Sequence, residues 1–142
     1  MRVALGTEKG AYLVDPGTGE VTGPEFPGWK VTAFGRAPGG EHLAALASNW
    51  FGVAIHRSPD WKTWTQVEAG PSFGPDRELS QIWTFHTEGP RIYAGVAEAG
   101  LFYSDDEGLT WTGMEELNEH RTRADWFPGL GGLCAHRILM GD

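Results

Sequence analysis

The sequence repeats itself. Residues Arg91 to Trp111, RIYAGVAEAGLFYSDDEGLTW, run in parallel with Arg2 to Val21, RVALGTEKGAYLVDPGTGEV, placing Gly95 over Gly6, Gly100 over Gly10 and Phe102 over Tyr12. A looser copy, HLAALASNWFGVAIHRSPDWKTW, spans His42 to Trp64. Ser58 and Ser104 hold the same place in their copies at a spacing of 46 residues, within the roughly 40–50-residue period of radial repeat architectures. Each copy divides into short apolar alternations of period two, separated by turn residues. The second copy reads as VTAFGRA, HLAALAS, VAIHRS and WTQVE, and the third as QIWTFHT, RIYAGVA, LFYSD and WTGMEE. Four short strands per repeat make one blade of a β-propeller. The expected fold is therefore all-β, with three blades in the chain.

Composition agrees with many short strands. The 142 residues include 21 Gly, 9 Pro and 7 Trp, which supply turns and large aromatic anchors. The net charge of -8 and the lack of a Lys/Arg stripe argue against a nucleic-acid partner. No apolar run reaches membrane-spanning length, so no membrane association is expected. The opening MRVALGTEKGAYLV lacks the apolar core of a secretory signal, which predicts a cytoplasmic protein. Cys134 is the single cysteine. It excludes an internal disulfide and fits a reducing compartment.

One turn carries a recognisable pattern. Ser104, Asp106, Gly108, Thr110 and Trp111 form S-x-D-x-G-x-T-W between the third and fourth strands of the last copy. Ser58, Asp60, Thr63 and Trp64 repeat it one residue shorter and without the glycine, while the first copy keeps only DPGTG, Asp15 to Gly19. In such a hairpin Asp106 can accept hydrogen bonds from turn amides, Gly108 tolerates positive φ, and Trp111 buries a large surface. The pattern resembles the Asp-box (BNR) repeat of sialidase-like propellers. GTEKGAYL, FPGW, NWFG and the NEHRTRADW to LCAHRI stretch extend the likeness to bacterial glycosyl-hydrolase-like BNR proteins. The resemblance makes these turn residues structural.

The boundaries set a further expectation. Arg2 to Gly6 aligns with a second strand, so blade 1 (1–29) lacks its innermost strand, blade 2 covers 30–70, blade 3 covers 79–117, and a long loop fills 117–132. Residues 133–142, LCAHRILMGD, resemble a first strand. Counting from Trp83 to Arg91, and from His136 through Asp142 and Met1 to Arg2, gives the same number of steps. Three blades are too few for a ring that typically needs about four to eight. A homodimer is therefore expected, six-bladed, in which each copy's 133–142 strand completes the other's first blade. An excised piece of a longer propeller is the alternative.

In propellers the loops from strand four to strand one, and from strand two to strand three, gather at one mouth. The residues expected there are Asn49 and Trp50, Glu98, the loop residues Asn118, Glu119, His120, Arg123, Asp125 and Trp126, and His136 on the next inner strand. The favoured function is a binding module for a small polar or glycan-like ligand, with Asn49, Trp50, Asn118, Glu119, Asp125, Trp126 and His136 as contacts. The alternative is a glycoside-hydrolase-like enzyme, with Glu98 and His120 as acid/base candidates and Arg123 as anion binder. A purely structural half-propeller is the third reading. Sialidase chemistry finds little footing: there is no N-terminal R-I-P-type arginine, and Tyr12, Tyr93 and Tyr103 all read as strand residues. Arg36 and Arg123 are the arginines that could be recruited from two copies. Cys134 and His136 read as a small buried hydrophobe and a satisfied polar residue, and no metal or cofactor is expected.

Overall fold

A computed structural model describes residues 1–141, so Asp142, the last residue of the expected exchanged strand, lies outside the described residues. The chain is all-β, built as three small antiparallel sheets in sequence order. The first contains β1 (Val3–Thr7), β2 (Gly10–Val14) and β3 (Val21–Glu25). The second contains β4 (Lys30–Arg36), β5 (His42–Ser48), β6 (Gly52–Ser58) and β7 (Thr65–Gln66). The third contains β8 (Ile82–Glu88), β9 (Arg91–Val96), β10 (Gly100–Ser104) and β11 (Thr112–Gly113). Each strand pairs with its chain neighbour, as short hairpin connections dictate. β1 lies against β4, and β4 against β8.

Two apolar layers hold the sheets together. Leu43, Ile55, Ile82, Ile92, Val96 and Phe102 form the larger, between the second and third sheets, with Phe85 and Trp111 at its margin. Ala11, Val31, Ala44 and Leu46 form the smaller, between the first and second, closed by Phe26, Phe34 and Trp64. Each large side chain so buried contributes roughly 1.5–3 kcal/mol. Small residues set the spacing. A Cβ on Gly6 would meet the Val31 carbonyl, and one on Gly95 would meet the Ala135 carbonyl. At those positions the backbone of a neighbouring segment lies directly on the strand.

The sequence predicts longer fourth strands than the two-residue β7 and β11. After Gly113 the chain turns instead into a short helix, α1 (Glu115–Asn118). The reason is Asn118, whose amide oxygen accepts from Leu101 N at 2.8 Å while its NH2 donates to Leu101 O at 2.9 Å. This side chain supplies the edge of β10 with the pairing that a longer strand would give. The expected first strand at 133–142 also differs. Among the described residues, 133–141 form a single bridge to the third sheet, Ala97 to Cys134, with Glu98 N donating to Leu133 O at 2.7 Å and Ala135 N to Val96 O at 3.0 Å. A strand needs a partner along its length, and this segment has one only at its start.

The two serine-aspartate turns show what the missing residue costs. Around Asp106, Thr110 donates its amide at 2.9 Å and its hydroxyl at 2.6 Å, Ser104 donates its hydroxyl at 2.8 Å, and Trp111 Nε1 reaches Gly108 O at 3.1 Å. Glu107 (φ 65) and Gly108 (φ 84) turn the chain in the left-handed region. In the shorter turn Asp60 accepts from the Lys62 and Thr63 amides at 2.9 and 2.7 Å. Trp61 takes the left-handed position (φ 66), its ring packed against Phe34, His42 and Trp64. With no residue matching Gly108, the Trp64 indole N–H is buried without a partner among the described residues. Inserting a glycine between Trp61 and Lys62 is expected to restore that bond and raise unfolding stability by about 1 kcal/mol, measured by chemical denaturation.

The Asp106 carboxyl is held down to about 2, chiefly by the Thr110 hydroxyl and then by the Thr110 amide. Because the folded value is depressed, its contribution is complete above the ordinary carboxylate range and is lost as pH falls through about 2. Asp106→Ala should cost about 1–2 kcal/mol at neutral pH. Asp106→Asn should flatten the fall of melting temperature between about pH 4 and pH 2. Calorimetry across that range checks both.

Candidate functional site

Antiparallel order sends the β1–β2 and β5–β6 turns, and the connections entering β4 and β8, to one end of the sheets. A cleft of about 390 Å³ opens there, lined by Glu8, Trp29, Lys30, Ser48, Asn49 and Gln81 among others. Its walls come from four separate connections, so each residue is brought in by a different turn. Lys30 Nζ lies 3.3 Å from Glu8 Oε1, an exposed ion pair on the cleft wall. Trp29 also lines an adjoining apolar groove of about 560 Å³ with Phe26, Leu46, Phe51 and Val53. Its ring stands 5.9 Å from that of Phe51, and Trp50 beside them is 90% exposed. One wall therefore joins a polar cleft to an aromatic shelf. His56 also lines the groove, and burial pulls its imidazole below the ordinary value.

Of the sequence-derived site residues, Asn49 lies in this cleft and Trp50 next to it, in the β5–β6 turn. Most of the others gather around the 117–132 loop, where neighbouring residues engage most of their polar groups. Arg77 donates to Asn118 O at 3.1 Å, and its ion pair with Glu119 is 2.7 Å. Arg123 donates to Ala99 O at 3.2 Å and lies 5.0 Å from the Trp126 ring. Burial, then the nearby Arg77, lowers the Arg123 pKa, while Glu119 and Glu98 oppose that shift. His120 stacks on Trp126 at 6.1 Å, and its Nδ1 lies 2.9 Å from the Thr122 hydroxyl, which accepts from Trp126 Nε1 at 3.0 Å. Asn118 is buried in its β10 pairing. Asp125 is exposed, in a single 3-10 turn at Arg123–Asp125.

Glu98 is exposed in the β9–β10 turn, and both it (φ 62) and Ala99 (φ 49) adopt left-handed backbone that favours glycine. Arg123 grips this turn through the Ala99 carbonyl. His136 is exposed, and its Nδ1 lies 3.8 Å from Cys134 Sγ. Among the described residues no three His, Cys, Asp or Glu side chains converge as metal ligands. Among the same residues no helix is long and apolar enough to cross a membrane.

Sequence reasoning missed Glu8, Trp29, Lys30 and Gln81 as cleft residues and Arg77 as the partner of Glu119. Trp29, Lys30 and Gln81 stand where the chain enters the first strand of the second and third sheets, and their register in the repeat was the available signal. No protein-family model matches the chain, and no curated protein sequence matches it. What defines it is an all-β framework of three sheets with a polar cleft and an aromatic shelf at one end. Arg123→Ala should free the loop and speed chymotryptic cleavage near Trp126 and Phe127 by about tenfold, read by limited proteolysis with mass spectrometry.

Proposed function

We propose that the chain is a propeller segment of three Asp-box blades, closed by a second copy, whose mouth binds a saccharide-like ligand without turning it over. Two turns with the Ser-x-Asp and Thr-Trp pattern, one in each four-stranded sheet at the same hairpin, support the blade reading. The observation that carries the ligand class is Trp29, which lines both the polar cleft and the apolar groove. Sugars present hydroxyls at their edge and C–H groups on their face. Amide, hydroxyl and ammonium groups from Asn49, Ser48, Gln81 and Lys30 suit the edge, and Trp29 with Trp50 suits the face.

Binding without turnover is favoured over hydrolysis because Glu98, His120 and Arg123 do not line the cleft, and two of the three are engaged elsewhere. His120 Nδ1 is tied to Thr122 and Arg123 to the Ala99 carbonyl. The test is an amide and indole NMR titration with a panel of neutral mono- and oligosaccharides. Shifts should centre on Lys30, Asn49, Gln81 and the Trp29 and Trp50 indoles, and Trp29→Ala should weaken binding by about tenfold. Absence of shifts across the panel, or binding unchanged by Trp29→Ala, would end this reading. Arylglycoside cleavage abolished by Glu98→Gln would replace it with the hydrolase.

A further inference from the structure

The first sheet has one covered face and one bare one. Gly6 and Ala11, directly opposite each other, meet the second sheet. By strand alternation Val3, Leu5, Tyr12, Val14 and Val21 point the other way, since Leu5 pairs with Tyr12, Val3 with Val14 and Val14 with Val21. Val3, Leu5 and Val21 are 42%, 46% and 59% exposed. Among the described residues β1 is also an edge strand, with no partner on its far side.

The third sheet shows the complementary situation. The Ala135 carbonyl lies on Gly95 as the Val31 carbonyl lies on Gly6, and Gly95 and Gly6 are equivalent positions of the repeat. Residues around Ala135 thus stand to the third sheet as β4 stands to the first. β4 is backed by three further strands, whereas the 133–141 segment belongs to no sheet, and its Leu139 is 83% exposed. One end of the molecule holds a strand position without a sheet, and the other a sheet without its inner strand.

We infer that the bare face of the first sheet is an interface for a second copy of this chain: the partner's 137–140 segment adds antiparallel to β1, and Val3, Leu5 and Tyr12 pack on the outer face of the partner's third sheet. The inference rests on the blade reading above and gives it specific residues. The outer face of the third sheet carries Thr84, which stands opposite Gly95, and the facing pair Tyr93 and Tyr103. It repeats the contact already made within the chain, small residue under carbonyl with apolar side chains around it. Because each copy offers both halves, two copies close on each other with two equal interfaces, and neither half is left unmatched.

Sedimentation equilibrium at micromolar concentration should give twice the 15.5 kDa chain mass. Two variants test the contact without touching the fold of one chain. Leu139→Pro removes a ladder donor from an exposed residue, and Leu5→Glu places charge on the bare face. Each should raise the dimer dissociation constant by about tenfold or more, with the far-UV spectrum unchanged. A monomeric mass for the unmodified chain, any other multiple, or a dimer insensitive to either variant overturns the interface. A monomer that still shows saccharide shifts at Gln81 would overturn it alone and leave the binding site standing. A dimer lost in both variants but silent to every saccharide would support the interface and sink the ligand.

Discussion

The Val31 carbonyl oxygen occupies the space that a side chain at position 6 would fill, and the rest of the structure is arranged around that approach. Two sheets that meet backbone on strand cannot carry bulk at the contact. Ala11, Ala44, Ala45 and Ala94, all fully buried, keep the neighbouring positions small. Ile55 and Phe102 on the third strands, with Leu43 and Ile92 on the second, provide the apolar volume instead. The pattern of small and large residues thus fixes how far apart adjacent sheets stand, and this in turn sets which turns converge at the cleft.

The strands were legible because they obey two local rules at once: period-two alternation and hairpins with turn chemistry. HLAALAS and RIYAGVA show both and became β5 and β9. WTGMEE carries a strand pattern beyond the end of β11, because that end is decided by Asn118, a residue whose competing bonds to Leu101 cannot be seen in a strand pattern. The 133–141 segment alternates like a strand, yet alternation states only a capacity for pairing. Whether a ladder forms depends on what lies alongside, and within one chain that is two residues of the Val96–Glu98 stretch.

The site was partly legible for a similar reason. Asn49 and Trp50 stand in a turn whose end of the sheet follows from topology, and both lie where that topology sends them. Lys30 and Gln81 are ordinary polar residues at the starts of strands and gain meaning only when four connections are brought together. The conspicuous loop, with its His, Arg, Glu and Trp, turned out to be largely self-satisfied. Chemical richness in a sequence can be spent on holding a loop still, and here Arg77, absent from the motif, is the residue that closes that network.

The end of the sheets away from the cleft is fastened across the gap between sheets. Gly39 N donates to the Glu107 carboxylate at 2.8 Å, and the Thr87 hydroxyl to the Arg36 carbonyl at 2.6 Å. Both latches join the second and third sheets near their hairpin turns, and both act at a distance from the mouth. Two plates clasped along one margin can still swing at the other. Whatever small opening the molecule permits should therefore appear as a change in the width of the cleft, with the clasped margin serving as its hinge.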